Sequence, residues 1–505
     1  MSAEHSFRRS QLDHEGSHQQ WLLMDANTRH TNPSDDFLAD AFATRFACKF
    51  RYVPQLSTWL SWDGRRWERG GYPHVAEEIR RMIREITVMG EVDRSQVSTS
   101  QVSAVEKMAR NDPRLLVEQD QLDADHLLLN TPSGLVDLRT GLCRPSDPEA
   151  LCTKLTSAAW CPGEGEEIWK KFLREITQGD QEIEHYLQRA FGYASTGETR
   201  EHVLICLHGD GSNGKSTFVE AIAHALGAYA RPFAPEVLME SRVERHQTEI
   251  AQFDGMRLAY TSEPASSSTW NDSRIKSLTG DAVISARRMR QDQTSFPRTH
   301  KTVVLCNRLP RLSDTSHAIR RRVHVVDFNA VFETAPGESI GDKLKRECGG
   351  AILAWLAAGA REWMRAGTAP PACVVARSAE YVDQHDAVNR WARARCEPRP
   401  GGFEASAKLY GDFERWRAAA GEVYLSMKAF SMRLARIYEK GETSRANGFR
   451  GIALVEEGCG GSTDCDRLHH SSTTSEFEQP STMLHLPGDG SGVGSETQLD
   501  EEVSR

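Results

Sequence analysis

The chain has 505 residues, 39% of them hydrophobic, which suffices for ordinary cores and roughly three domains of usual size. No stretch approaches the ~18 consecutive apolar residues of a membrane span, and the polar start MSAEHSFRRSQLDHEGSHQQ has no apolar signal-peptide core. A cytoplasmic protein with no membrane partner is therefore expected, and eleven scattered cysteines without a C-x-x-C fit free thiols in a reducing compartment.

The net charge of −9 speaks against a nucleic-acid partner until its distribution is read. From Glu456 to Arg505 there are eleven acidic and two basic residues, so the rest of the chain is neutral. Between Asn271 and Ala330 twelve Lys/Arg face five Asp/Glu, a local excess of +7 and an electrostatic footprint for a polyanion.

In chain order, residues 1–34 are polar and expected to be disordered. Residues 35–160 form an N-terminal α+β region. It opens on a helical pattern (Phe37, Leu38, Ala41, Phe42, Phe46). Two hairpins follow, one around Asp63-Gly64 with Trp59, Trp62 and Trp67, the other in LLLNTPSGLVDLRTGLCRPSD. The tryptophans are read as core rather than as a base-stacking platform. Residues 161–200 are a connector of two amphipathic helices. A nucleotide-site core spans 201–330, and a helical extension and linker 331–384. A small domain at 385–455 shows three helices and a strand pair through GFRGIALV, with Lys428, Arg433, Arg436 and Lys440 on or near its third helix. That is the pattern of a winged helix. The acidic tail, 456–505, is expected to be disordered. Its Cys459, Cys465, His469 and His470 fit no zinc spacing.

The chemistry centres on HVLICLHGDGSNGKSTF. An apolar strand, Val203 to Leu207, runs into Gly209-Asp210-Gly211-Ser212-Asn213-Gly214-Lys215-Ser216-Thr217, which fits the phosphate-binding pattern G-x-x-x-x-G-K-[ST]. The glycines let backbone N–H groups converge, and the helix starting near Lys215 adds its N-terminal dipole. Lys215 would reach the β- and γ-phosphates of ATP, and Ser216 would hold Mg²⁺. Glu263 ends the strand-like RLAYTSE and is the expected water-orienting acid and second metal contact. Ser262, not a second acid, precedes it. Asn307 tips the apolar run KTVVLCN, within reach of the γ-phosphate or the attacking water. Arg320-Arg321-Arg322 then offers an arginine to a neighbouring subunit's site.

The order GDGSNGKST, RLAYTSE, IKSLTGDAVISARRMR, VVLCNRLP, AIRRRVHVVDF resembles the superfamily-3 helicases, in particular the phage, plasmid and poxvirus primase-helicases. WLSWDGRRW, LLLNTPSGLVDLRTGLCRP and FLREITQGDQEIEHYLQRAFGYASTG are similar to that family's pre-helicase region, and RWARARCEPRPG through RGIAL to its winged helix. The resemblance implies an α/β fold: a P-loop, AAA+-like ATPase core with an α+β N-terminal domain and a C-terminal winged-helix domain. It makes Lys215 and Ser216 the Walker A pair, Glu263 the Walker B acid and Asn307 the sensor. Arg321 or Arg322 becomes the finger, and Lys276 and Asp281 belong to the motif between. Residues 286–302, with Arg287, Arg288, Arg290, Arg298, His300 and Lys301, match the basic hairpin projected into a ring's channel.

The expected function is an ATP-dependent DNA helicase, a hexamer in the family's pattern, acting on single-stranded or forked DNA beside a separate primase or other replication proteins. With about 34 residues ahead of the N-terminal region, primer synthesis is not expected. The alternative is a nucleotide-gated DNA-binding protein that assembles at an origin without unwinding.

Overall fold

The computed structural model describes residues 33–89, 97–241, 248–264, 268–287, 293–332, 339–422, 424–444 and 446–455. The two terminal segments, including the Cys/His cluster of the tail, lie outside them.

Ser34 starts helix α1 (Asp35–Phe46) by accepting from Phe37 N–H at 3.2 Å, and α1 buries Leu38, Phe42 and Phe46. Strands β1 (Phe50–Val53), β2 (Thr58–Trp62) and β3 (Trp67–Arg69) form an antiparallel sheet. Trp59 and Trp67 are buried in it, so they serve the core. Each indole N–H is spent inside, on Glu106 at 2.5 Å and on the Pro148 carbonyl at 2.8 Å. Helices α2 (Tyr72–Met89) and α3 (Thr99–Ala109) complete this first core.

Strands β4 (Leu128–Thr131), β5 (Gly134–Asp137) and β6 (Leu142–Arg144) make the second antiparallel sheet, with turns where the sequence places them. Its Leu129, Val136 and Leu138 share one hydrophobic core with the helices and main sheet that follow. Helices α4 (Glu166–Ile176) and α5 (Gln181–Ser195) each bury one apolar face there.

The main sheet is parallel, in order β13-β7-β12-β9-β8. Its strands are β7 (Leu204–His208), β8 (Ala230–Pro232), β9 (Leu258–Ser262), β12 (Lys301–Cys306) and β13 (Val323–Asp327). β12 is buried at every position, as an apolar run covered on both faces requires. Helix α6 (Lys215–Leu226) leaves β7, and α7 (Asp272–Gly280) precedes the hairpin β10 (Val283–Arg287) and β11 (Gln293–Pro297). A single helical turn, α8 (His317–Arg320), leads into β13.

The expected helical stretch after the sheet is two helices, α9 (Ile340–Glu347) and α10 (Gly349–Ala366). α10 crosses α5 so closely that a Cβ on Gly192 or Gly359 would strike the other helix's backbone. The segment after Pro370-Pro371 is itself a helix, α11 (Ala372–Gln384). The last part holds α12 (Ala387–Arg395), β14 (Cys396–Ala405), α13 (Ser406–Ala420), α14 (Met427–Leu434), β15 (Lys440–Glu442) and β16 (Asn447–Leu454). Its sheet has three strands, β14-β16-β15, one more than the expected pair. No helix among the described residues is long and apolar enough to cross a membrane.

Candidate functional site: the carboxyl edge of the parallel sheet

Register places the site. Cys306 pairs level with His208, and Leu305 level with Ser262, so β7, β9 and β12 end together. Gly209, Glu263 and Asn307, each one residue further, emerge along one edge. Ligands of open parallel sheets bind at this carboxyl edge.

The loop from Gly209 to Gly214 is shaped by close approach. A Cβ on Gly209 would collide with Asn213 and the Phe328 carbonyl, and one on Gly214, at φ +82°, with Ile176. Asn213 is buried and donates to the Phe328 carbonyl at 3.1 Å. Phe332 N–H donates to the Ser212 carbonyl at 2.9 Å. The loop is thus pinned to the chain just past β13, while Asp210 and Ser216 are exposed and Thr217 is half-buried.

Lys215 begins α6 and is 4% exposed. Its ammonium donates to the Gly209 carbonyl and Asn213 Oδ1, both at 2.7 Å, and to Asn307 Oδ1 at 3.3 Å. Burial lowers its pKa from the ordinary lysine value, opposed by Cys306 and by the carboxylates of Asp210 and Glu263. Among the described residues it forms no ion pair. A buried ammonium held by three neutral oxygens is a charge left for an incoming anion. Exposed Ser216 lies beside it, and the residues present therefore fit a triphosphate with its divalent ion.

Glu263 is exposed, and its N–H donates to the Leu305 carbonyl at 2.8 Å. Its φ of +53° puts a non-glycine residue in the left-handed region at the end of a strand. Such strain collects at functional sites. Ser212, inside the loop, shares it at φ +46°.

The three consecutive arginines separate. Arg320 pairs with Asp383 at 2.6 Å. Arg322 is buried, donating to Thr279 Oγ1 at 3.1 Å and the Ala318 carbonyl at 2.7 Å. These contacts occupy it inside its own chain, which corrects the expectation that it could serve as a finger. Arg321 is exposed, and its side chain makes no hydrogen bond or ion pair among the described residues.

A hairpin is present, but over 283–297 rather than the expected 286–302. β10 and β11 pair from Val283 with Pro297 to Arg287 with Gln293, burying Ile284, Ala286 and Phe296. Arg288 and Arg290 lie outside the described residues, as does the side chain of Arg287. Arg298, His300 and Lys301 are not DNA-facing; this expectation is corrected. They lie past the hairpin and are 4%, 0% and 2% exposed. Arg298 donates to the carbonyls of Asp281 at 2.8 Å and Thr199 at 3.0 Å. Lys301 donates to those of Thr196, Glu198 and Thr299. Lys276 pairs with Asp314 at 2.6 Å, and Asp281 accepts from Ser277 Oγ at 2.6 Å.

Sequence reasoning missed a cluster beside the loop. His208 Nδ1 lies 2.7 Å from Asp327 Oδ1, and Arg377 Nε donates to Asp327 Oδ2 at 2.9 Å. Burial raises the Asp327 carboxyl, but the hydrogen bond from His208 and the charge of Arg377 outweigh it and hold it below the ordinary value. Asp327 was visible only as the polar end of VHVVDF.

Comparison with known proteins agrees with this order of parts. The D5 N terminal like family matches residues 39–178. A family of unknown function (DUF5906) matches 207–322. "Putative helicase L207/L206" of Acanthamoeba polyphaga mimivirus is 29% identical over 219 residues, 42% of this chain and 22% of that protein. "Putative helicase 022R" of Frog virus 3 is 26% identical over 326 residues, 60% of this chain and 31% of that protein. "Putative primase C962R" of African swine fever virus is 26% identical over 211 residues, 40% of this chain and 22% of that protein. The matches thus span less than a third of these relatives' length. Among solved structures, the apo NrS-1 C-terminal region aligns over 84% of this chain and 100% of its own, at 9% identity and a TM-score of 0.45. A D5 N-terminal-like region followed by the matched module, with relatives bearing helicase and primase names, is an order of parts similar to that of the D5-type primase-helicases.

Proposed function

We propose that this chain is the motor part of a DNA-replication helicase of the superfamily-3 type, hydrolysing ATP between the subunits of a ring and moving DNA past the β10–β11 hairpin. The observation that carries the reading is Lys215: a buried ammonium on neutral acceptors, at a strand edge shared with Glu263 and Asn307. The segment 209–217 acts as a phosphate loop. Lys215 and the loop's N–H groups would hold the β- and γ-phosphates, and Ser216 would hold Mg²⁺, which would supply positive charge to the phosphoryl oxygens. Glu263 orients the attacking water, and Asn307 ties its position to the phosphate through Lys215. Arg321, projecting from one subunit, completes the next subunit's site. Residues 387–455, three helices with a three-stranded sheet, act as a winged helix.

Lys215→Ala is expected to abolish ATP turnover with the fold intact. Arg321→Ala should keep ATP binding and lower turnover roughly a thousandfold, and wild-type turnover should rise with single-stranded DNA. Turnover indifferent to DNA, or unchanged in Arg321→Ala, would refute the motor. The burial of Arg298, His300 and Lys301 favours a second reading, because it removes half of the expected channel set. In that reading the ATP site gates assembly on DNA without unwinding. A strand-displacement assay on forked DNA separates the two.

A further inference from the structure

At the opposite edge of the main sheet, a cleft of about 620 Å³ lies between the first sheet and β8. β8 and β9 run parallel, and the lining residues Ala228 and Met256 precede them, so the cleft opens at their amino ends. Three parts of the chain wall it: β3, the segment 153–154, and β8 with the turn ahead of β9. Buried hydrogen bonds fix these parts to one another. Trp67 N–H donates to the Cys152 carbonyl at 2.8 Å. Fully buried Asn130 donates from its amide to the carbonyls of Arg65 and Lys154, both at 2.9 Å. Its backbone N–H donates to the hydroxyl of Tyr229, next to β8, at 3.2 Å.

Each wall carries a cation that no carboxylate holds. Arg69 ends β3 and Arg231 lies in β8; both are exposed, and neither side chain makes a hydrogen bond or ion pair among the described residues. The ammonium of half-buried Lys154 makes none either. Its side chain is laid over Gly255, where at φ +68° a Cβ would come within 3.0 Å of Cε and 3.4 Å of Nζ. Burial lowers the Lys154 pKa from the ordinary lysine value; the carboxylates of Asp123 and Asp254 oppose this, and the charges of Arg69 and Arg231 add to it. The three cations therefore sense one another. Asp123 is taken up by the N–H and hydroxyl of Thr153, and Glu68 by Arg66. Like charges gathered on a rigid frame are a place for a polyanion. Trp67, the aromatic residue of the lining, is fully buried, so no ring is offered for a base to stack on. Recognition here is by charge, which reads phosphates and not sequence.

Position selects the polyanion. The helical turn Thr248–Ala251 gives Ala251 to the lining and packs on β10. The β10–β11 hairpin also runs into β12 at this amino edge. We propose that the cleft is a second contact for the DNA strand, in which Arg69, Lys154 and Arg231 hold backbone phosphates outside the hairpin. The proposal rests on the motor reading and adds where the strand runs beyond the hairpin: over the amino edge of the sheet and against β3 of the N-terminal region.

Arg69→Gln combined with Arg231→Gln removes two exposed charges without partners, so the thermal melt should be unchanged. Fluorescence anisotropy of a labelled single-stranded oligonucleotide across a salt series should show the slope of log affinity against log salt reduced by about 1.4, two contacts at about 0.7 each. ATP affinity by calorimetry with Mg²⁺ should stay within about twofold. An oligonucleotide carrying a photoreactive azidophenacyl group on a backbone phosphorothioate should label peptides of the unaltered chain that contain residues 66–69 or 228–231. A wild-type slope in the double variant, or labelling confined to other peptides, overturns the cleft and leaves the motor standing. Inorganic tripolyphosphate that binds Lys215→Ala protein, and is lost when the double variant is added while the DNA slope holds, would make the cleft a free-phosphate site and equally overturns the proposal. Wild-type protein that binds no single-stranded DNA at low salt overturns the motor reading and the cleft with it.

Discussion

Arg257, Arg298 and Lys301 are buried cations with no ion pair among the described residues, a costly arrangement in a low dielectric. All three are spent on the chain that leaves α5. Arg257 donates to the Ser195 carbonyl at 3.0 Å, Lys301 to those of Thr196 and Glu198, and Arg298 to that of Thr199. A helix carboxyl end carries partial negative charge, so three cations there are compensated by carbonyls and dipole together. Arg257 also lies 4.4 Å from the Tyr229 ring centre and Lys301 4.9 Å from that of Tyr193. His300 sits among them. Burial first, then the charges of Arg298 and Lys301, push its pKa from 6.5 down to about 3. A depressed folded value means that the unfolded chain takes up the proton first, so stability is present above pH 6.5 and lost as pH falls toward 3. At pH 5 the loss from this one group is about 2 kcal/mol. Denaturant melts at pH 7.5 and pH 5 should show it, and His300→Phe, which has no proton to gain, should lose about 2 kcal/mol less between them. Equal acid losses in the two proteins would assign the effect to other groups.

At the scale of elements, α8 decides which arginine is available. Successive residues of one helical turn point about 100° apart, so a run of three cannot share a direction. Arg320 faces α11, Arg322 faces α7, and Arg321 is left outside. Asp386 secures this arrangement to the last part of the chain. It is 4% exposed, caps α12 through Val388 N–H at 3.1 Å, accepts from Thr315 Oγ1 at 3.3 Å and faces Arg320 at 3.9 Å and Arg433 at 3.7 Å. Of the basic residues read from sequence on or near the third helix, Arg433 is half-buried against Asp386, and exposed Arg436 donates to the Thr315 carbonyl at 3.2 Å. Asp386→Asn keeps the cap and removes the charge, whereas Asp386→Ala also loses the cap, a further cost of about 1 kcal/mol. Both should speed tryptic cleavage between the sheet domain and residues 387–455, alanine more than asparagine. Cleavage at the wild-type rate in both would show that Asp386 does not hold the two together. The strand–loop–helix around Lys215 was legible because an apolar run, three glycines and a lysine are local signals. The fate of Arg298, His300, Lys301 and Arg322 was not, because a buried cation and a solvated one read alike until their carbonyl partners, distant in sequence, are in place. β14 escaped for another reason: Pro398 and Pro400 argue against a strand, and only its place at the sheet edge tolerates them.

For the molecule as a whole, the position of the hairpin matters more than the total charge. The chain up to residue 455 is neutral, so attraction for DNA must come from where cations concentrate. Of the six residues expected to touch DNA, three are buried, and the remaining three, Arg287, Arg288 and Arg290, follow one another in sequence ahead of Gln293, where β11 begins. The hairpin's base is anchored by Ile284, Ala286 and Phe296, while Ser285 and Ser295 face solvent, 3.0 Å apart. Each phosphate contact with a single strand contributes about 0.7 to the slope of log affinity against log salt. Replacing Arg287, Arg288 and Arg290 together by Gln should therefore reduce that slope by about 2 and weaken single-stranded DNA binding at low salt, with thermal stability unchanged. Arg298→Gln and Lys301→Met should do the reverse: lower stability by about 1–3 kcal/mol through unpaired buried carbonyls, with the salt slope unchanged. Fluorescence anisotropy of a labelled oligonucleotide from 50 to 300 mM salt, beside a thermal melt of each variant, reads both quantities. A slope that stays at the wild-type value in the triple variant would place the path of DNA away from this hairpin, and the motor proposed above would lose its lever arm.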